Sequence, residues 1–239
     1  MRVSRAVLVH PGVLLILLLV GASSVGGQQP LSLDQLVQQF ESETVFWRQI
    51  GVAKTIVAAN NKSVLPRLES WLTHEDRHLR GNAAFIFAGL GDPRGFHVIT
   101  AILNDYSERS PGKAFGSPRW SLREQIRQDR YYAAHLLGDL KDSQAIPILV
   151  SLLTDSDVNY IVPWSLGQIG DRSAITPLIA SLSDPNPSMR VLAIHALVEL
   201  KATEALPRLR QLLSDGERSN FGELESVAHA AQAAIAKLQ

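Results

Sequence analysis

The sequence predicts an all-α protein, an α-solenoid of stacked antiparallel helix pairs. The main observation is an internal repeat of about 30 residues between Arg130 and Leu213, in which the apolar positions of three segments coincide. Leu137, Leu166 and Leu197 occupy the same column of this repeat. Each unit contains two segments with the apolar spacing of a helix, which is typical of repeats that stack only on their neighbours. We therefore expect one domain.

One position, directly after each second helix, recurs in every unit, and we call its residues the phase positions. Successive residues at this position are separated by 31, 50, 29 and 31 residues: Asn60, Gly91, Lys141, Gly170 and Lys201. The long interval contains an insertion of 19 residues near 106–125. The first half of the insertion has turn composition and the second half has helix-forming residues. We expect two N-terminal capping helices in 28–60 and the repeat array in 61–239.

The N-terminal segment 1–27 has the layout of a secretory signal peptide. Arg2 and Arg5 precede an apolar run that ends in small residues, and this run is short for a transmembrane helix. We expect export to the periplasm or the extracellular space and no integral membrane span after cleavage. An uncleaved anchor is the alternative, because His10 and Pro11 are atypical at the start of the run.

Composition excludes several classes of function. The 23 basic and 23 acidic residues balance, and removal of residues 1–27 leaves a net charge of −2. Bulk charge therefore does not favour a nucleic-acid partner. The absence of cysteine excludes disulfides, thiolate metal sites and a cysteine nucleophile. We expect a monomer with no cofactor and no bound metal.

The sequence His74-Glu75-Asp76-Arg77-His78 matches the motif H-E-x-x-H. On a helix, this spacing would place two imidazoles on one face beside a carboxylate, as a zinc hydrolase requires. His74 falls, however, in a column that the later units fill with aspartate at the turn between their two helices. A solvated turn is the favoured interpretation. A zinc hydrolase is the alternative, with Thr73 as the cap of a helix that carries both histidines.

The insertion is the first candidate binding surface. Between Tyr106 and Arg130 the chain carries six basic residues against three acidic ones, with aromatic residues among them. Arginine and large aromatic residues are enriched at interface hot spots. We select the following residues as partner-binding candidates: Arg119, Trp120, Arg123 and Arg127. The alternative is a tolerated insertion whose aromatic side chains pack on the neighbouring helix.

A face of the second helices is the other candidate surface. Every fourth residue in these helices varies in type while the apolar columns do not, which indicates exposure. The rows are Tyr131, His135 and Asp139, then Tyr160, Trp164 and Gln168, then Val191, His195 and Glu199. Tyr131, Tyr160 and Trp164 are selected as suited to holding a peptide or protein segment. The alternative is that Trp164 fills space left by Pro163.

The repeat resembles a known family in two motifs. One is A-I-P-x-L at 145–149, and the other is R-x-x-A-x-x-x-L-G from Arg130 onward. These motifs resemble short HEAT-like repeats, especially the subclass also found in phycobilisome lyases, over residues 44–239. In that family an arginine early in the second helix braces the turns of the repeat. The residues in this slot here are Arg80, Arg130 and Arg190.

One unit departs from the family pattern. Asn159 stands in the arginine slot, the unit is two residues shorter, and Pro163 replaces a small residue. We expect a kinked or displaced second helix in this unit.

Two classes of function follow. The leading prediction is an exported, non-enzymatic scaffold or adaptor that binds a protein or peptide through the second-helix face and the insertion. The enzyme alternatives are zinc-dependent hydrolysis and, from the resemblance, attachment of a bilin to an acceptor protein. Export argues against the second, because the resemblance places the acceptors on the cytoplasmic side. The absence of cysteine does not argue against bilin attachment, because the reacting thiol would belong to the acceptor.

Overall fold

The computed structural model describes residues 31–107, 122–220 and 225–239. Within these ranges the chain forms α-helices and short 3-10 turns with no β-strand, so the predicted all-α solenoid is confirmed. The signal peptide at 1–27 lies outside the described residues, as do Arg119 and Trp120 of the predicted partner-binding set. Export therefore stays a prediction.

The helices of the described ranges form six consecutive pairs, each with a first and a second helix. In chain order they are α1 (Leu33–Ser42) with α2 (Phe46–Ala58), α3 (Leu65–Leu68) with α4 (Arg77–Gly89), α5 (Pro93–Leu103) with α6 (Leu122–Leu140), α7 (Ile146–Ser151) with α8 (Val162–Ile169), α9 (Ile175–Ser181) with α10 (Pro187–Glu199), and α11 (Leu206–Gln211) with α12 (Val227–Leu238). Residues 122–125 of the predicted insertion thus already belong to α6. Each second helix packs on the second helix of the next pair.

The layer of second helices lies on the inside of a bend near its N-terminal end. Lys54 Nζ of α2 is 2.8 Å from Asp139 Oδ2 of α6. The rings of Phe46 and Tyr132, on the same two helices, have centroids 4.9 Å apart. Because α4 separates α2 from α6 in the stack, these contacts require the layer to curve toward this face. The second helices therefore line the inner side of this bend.

The five phase positions share one backbone conformation. All have positive φ, between 50° and 78°: Asn60, Gly91, Lys141, Gly170 and Lys201. A left-handed residue after the last turn of a helix is a common way to end it, and it turns the chain toward the next first helix. Leu137, Leu166 and Leu197 are completely buried in adjoining layers. The register of the predicted repeat is therefore confirmed.

Arginines brace the turns, as the resemblance implied. Arg130 is fully buried; its Nε donates to the Leu103 carbonyl at 2.8 Å and its Nη2 to Asp155 Oδ2 at 2.7 Å. In the last units Arg190 repeats the arrangement, with its Nε 3.0 Å from Asp215 Oδ2. The aspartate belongs in each case to the turn of the following unit. The third arginine of this column, Arg80, donates to the carbonyl of His74 at 3.1 Å.

The unit that lacks the arginine has a short second helix. Turns occupy 154–161, and α8 begins only at Val162, with Pro163 in its first turn. A proline there removes no intrahelical hydrogen bond, because the first N–H groups of a helix have no partner. Of the two expected outcomes, a kinked or a displaced helix, the structure shows the displaced one.

Candidate functional site

The H-E-x-x-H residues do not share a helix face. His74 follows a 3-10 turn, and α4 begins at Arg77 with Asp76 as its N-cap, not Thr73. The His74 ring stacks on Trp71 with centroids 5.2 Å apart, and its Nδ1 accepts from the Asp76 N–H. Within the described ranges, no group of three or more His, Asp or Glu side chains is placed to hold a metal ion. The geometry does not support the zinc hydrolase alternative.

His78 also corrects the expectation of a solvated turn. This side chain is 2% exposed, and its Nδ1 lies 3.4 Å from Asp129 Oδ1 on α6. Arg77, equally buried, pairs with Asp129 at 3.3 Å and with Asp105 at 2.7 Å. Because Asp105 precedes the insertion and Asp129 follows it, Arg77 joins its two ends. Arg77 and His78 are thus part of a buried charged cluster.

A row of rings crosses four second helices on the inner side of the bend. We call it the aromatic row, and its members are Phe46, His78, Tyr132, His135 and Trp164. The spacing between ring centroids is 4.4 Å for Phe46 and His78, 5.1 Å for His78 and Tyr132, and 4.4 Å for His135 and Trp164. The last pair is stacked, with an angle of 16° between the ring planes. The row thus ends at a half-buried indole on α8.

A shallow hollow of about 170 Å³ lies beside this indole, between α8 and α10. Its apolar floor consists of the Trp164 side chain and small or aliphatic residues of both helices. Its polar lining comes from Gln168, His195 and Glu199. Gly167 widens the hollow because it has no side chain between the two helices. The arrangement offers a flat aromatic surface with hydrogen-bonding groups at its edge, which suits a planar ligand.

His135 is positioned on the other side of the indole. Its Nδ1 is 3.4 Å from Asp139 Oδ2, the carboxylate that also pairs with Lys54. Burial lowers the pKa of His135; the Asp139 charge opposes this shift and the Lys54 charge adds to it. The imidazole is therefore neutral at neutral pH, and its ring supports Trp164 without bringing a charge to the stack.

The other predicted partner-binding residues differ in exposure: the two arginines are exposed, and the aromatic residues are partly buried. Arg123 and Arg127 are exposed on the first turns of α6. Tyr131 packs against the core, and burial raises its pKa to about 12. Tyr160 is partly buried, and its hydroxyl accepts from Asn186 Nδ2 at 2.8 Å. Neither tyrosine is the freely exposed aromatic that we expected. Trp164 is half-buried, packing on His135 and at the same time lining the hollow.

The face itself needs one correction. Val191 is only 5% exposed, so the row that starts at this residue begins in the core. The other two members of this row, His195 and Glu199, are exposed as expected, and Leu192 lines the hollow in place of Val191. Sequence reasoning also missed Glu225, whose Oε2 lies 3.2 Å from His195 Nε2. Their separation of 30 residues, one repeat length, was the available signal.

Comparison with known proteins gives the family of the repeat and several relatives. The family model described as HEAT repeats matches residues 121–180 and 158–221. The chain is 32% identical over 145 residues to the bilin biosynthesis protein PecE of a Nostoc species, covering 59% of this chain and 53% of that protein. It is 39% identical over 99 residues to the phycocyanobilin lyase subunit alpha of Synechococcus elongatus, covering 37% of this chain and 36% of that protein.

A second PecE protein, from Mastigocladus laminosus, is 31% identical over 145 residues and is covered to 49% of its length. The chain spans about half or less of the length of these curated relatives. Their names contradict our leading prediction of a non-enzymatic scaffold, because they are named for bilin biosynthesis and for lyase activity. That prediction rested on the lack of a complete catalytic set within the chain, and a reaction that attaches a ligand to an acceptor protein does not need such a set if the acceptor supplies the nucleophile.

The part of the chain that the structure describes contains no helix that is both long enough and apolar enough to cross a bilayer.

Proposed function

Because this chain is a HEAT-repeat protein whose relatives are named for bilin biosynthesis and bilin lyase activity, we propose that it binds a bilin and serves in its attachment to an acceptor protein. The observation that carries the proposal is the similarity to these relatives. The hollow beside Trp164 supports it, because an open-chain tetrapyrrole offers conjugated pyrrole rings that stack on aromatic side chains.

The polar lining of the hollow suits the edge of a bilin. Pyrrole N–H groups are donors that the carboxylate of Glu199 and the amide oxygen of Gln168 can accept. The terminal lactam carbonyls are acceptors for the amide N–H of Gln168 or for a ring N–H of His195. A bilin also carries two propionates, which pair with guanidinium groups. Exposed Arg127 lies two turns before His135 on α6, about 12 Å along the helix axis.

The size of the hollow bears on how the ligand is held. Pockets that enclose a ligand of this size have volumes of roughly 300–1,000 Å³, whereas the hollow has about 170 Å³. It therefore accommodates part of a bilin, with the remainder lying along the second-helix face or against another protein. One relative is named as a subunit, which is consistent with a site that a second chain completes.

The proposed reaction draws its nucleophile from the acceptor. A lyase joins two molecules by addition to a double bond, and bilins carry exocyclic double bonds in conjugation with their rings. This chain contains no cysteine, so the thiol that adds must belong to the acceptor protein.

Replacing Trp164 by alanine is expected to weaken bilin binding at least about tenfold, because the variant loses the stacking surface. The measurement is a titration of the purified chain with phycocyanobilin, followed by the change in the visible absorption spectrum. The control is Trp47→Ala, which removes a 52% exposed indole on α2 that does not line the hollow. We expect this variant to bind like the unmodified chain.

Both variants are first compared by circular dichroism to show that the helices are intact. Failure of the unmodified chain to bind phycocyanobilin would overturn the proposed function. Equal weakening by the two tryptophan variants would leave bilin binding in place and remove the hollow as its site.

A further inference from the structure

One histidine that lines the hollow is paired with a carboxylate just outside it, an arrangement that stacking alone does not require. His195 of α10 is 60% exposed and lines the hollow, and Glu225 is 25% exposed. The distance between His195 Nε2 and Glu225 Oε2 is 3.2 Å. The carboxylate accepts the Nε2 proton in this arrangement and leaves Nδ1 of the neutral ring as a proton acceptor. Such a pair matches the base and orienting group of many catalytic sites.

The backbone holds Glu225 in this position. Its carbonyl accepts from the Ser219 N–H at 2.9 Å, and the next residue, Ser226, forms an isolated bridge with Arg218. Ser226 is also the N-cap of α12, where its side chain accepts from the His229 N–H. Glu225 is therefore fixed between a backbone bridge and a helix N-terminus, so that it can orient the imidazole.

The surroundings of His195 are otherwise uncharged on the side of α8, where Trp164 and Gln168 line the hollow. The charged or titratable residues on the elements around it include Glu225, Glu199 one turn later on α10, and His229 on α12, whose Nε2 lies 3.9 Å from Glu225 Oε1.

Resting on the proposed function, we propose that His195 is the catalytic base and acid of the bond-forming step at the hollow, with Glu225 as its positioning residue. The imidazole takes the proton from the thiol of the acceptor. The sulfur forms a C–S bond with the outer carbon of an exocyclic C=C bond of the bilin, and the π electron pair moves to the neighbouring ring carbon. The imidazolium returns its proton to that carbon. One S–H and one C=C π bond are lost, and one C–S and one C–H bond are formed, so no oxidant or leaving group is needed.

His135, the other histidine beside Trp164, is less suited to this step. Its ring is stacked on the indole at 4.4 Å, and its side chain is 31% exposed. Its carboxylate partner, Asp139, is already paired with Lys54 at 2.8 Å. His135 therefore supports the stacking surface, whereas His195 can reach a group that enters the hollow from solvent.

The test measures thioether formation between phycocyanobilin and N-acetylcysteine by mass spectrometry, with and without the chain. We expect the chain to accelerate the reaction and His195→Gln to lower this acceleration roughly 10²- to 10⁴-fold, the range of general acid–base catalysis. The matched control is His229→Gln, which removes a histidine near the same carboxylate that does not line the hollow. This variant is expected to keep the unmodified rate.

Glu225→Gln tests whether Glu225 affects the reaction through His195 or only stabilises the local structure. Glutamine fills the same space without the negative charge, so the rate at saturating phycocyanobilin is expected to fall, while the bilin concentration at half-maximal rate stays within a few-fold of that of the unmodified chain. The absorbance titration with phycocyanobilin is repeated on each variant and should show binding within a few-fold of the unmodified chain. Absence of bilin binding would overturn the proposed function and this proposal with it. A chain that binds bilin but gives no acceleration, or equal rates for His195→Gln and the unmodified chain, would overturn only the assignment of His195.

Discussion

Replacing Arg130 by methionine is expected to lower the free energy of unfolding by about 3–5 kcal/mol. The guanidinium is fully buried and joins the end of α5 to the turn between the two helices of the next unit, through the Leu103 carbonyl and Asp155. It also lies over the ring of Tyr106, with Cζ 4.0 Å from the centroid. Methionine fills much of the same volume but leaves the buried carbonyl without its donor. It also removes the link between the two units that meet at this point.

The matched control is Arg127→Met, an exposed arginine one turn earlier on the same helix. We expect a change within about 0.5 kcal/mol for this variant. Urea unfolding followed by circular dichroism gives both values, provided that the slope of the transition is unchanged. A loss below about 1 kcal/mol for Arg130→Met would contradict the bracing role of this arginine.

Replacing Gly95 by alanine is expected to destabilise the fold by about 3 kcal/mol, at the upper end of overpacking effects. A Cβ on Gly95 would lie 2.2 Å from both the Ala84 carbonyl oxygen and the Ala88 nitrogen. These are backbone atoms of α4, so no side-chain rotation relieves the clash and α5 must move away. The packing of α5 on α4, on which the rest of the array is built, would loosen.

Gly51→Ala is the matched control for this glycine. Gly51 lies inside α2, and a Cβ there would meet nothing within 4 Å. We expect this variant to gain up to about 1 kcal/mol, because alanine loses less backbone entropy than glycine in a helix. Thermal unfolding of the two variants side by side makes the comparison. Equal stability of Gly95→Ala and the unmodified chain would show that the two helices are not in the described contact.

The fold was predictable because the repeat shows in the sequence which residues face the neighbouring unit and where the chain turns. The column of Leu137 is apolar since it faces the neighbouring unit. The phase positions accept glycine or asparagine since the chain must adopt positive φ there. Lys141 and Lys201 occupy the same position in other units. The place of the residue in the repeat therefore predicted the turn, and the residue type did not. The insertion broke this regularity, and its ends are fixed by Arg77, which no repeat column identified.

The candidate site was predicted only in part. Trp164 and His195 lie on rows that vary between units, and this variation was visible in the sequence. The contribution of Lys54 and Phe46 was not, because they reach α6 across α4 and this contact depends on the curvature of the stack. Tyr131 was misplaced since the neighbouring Tyr132 takes the inner position in the aromatic row. The scaffold prediction was wrong because it rested on the lack of a complete catalytic set within the chain, whereas the relatives are named for bilin biosynthesis and lyase activity.

Histidine footprinting with phycocyanobilin tests whether the hollow beside Trp164 is the site at which the chain binds a bilin. Diethyl pyrocarbonate modifies exposed imidazoles, and mass spectrometry of peptides reports the extent at each site. We expect bound bilin to protect His195, which lines the hollow, and to leave the exposed His97 of α5 and His229 of α12 as reactive as before. Bilin binding with unchanged modification of His195, or with protection confined to His97, would contradict it.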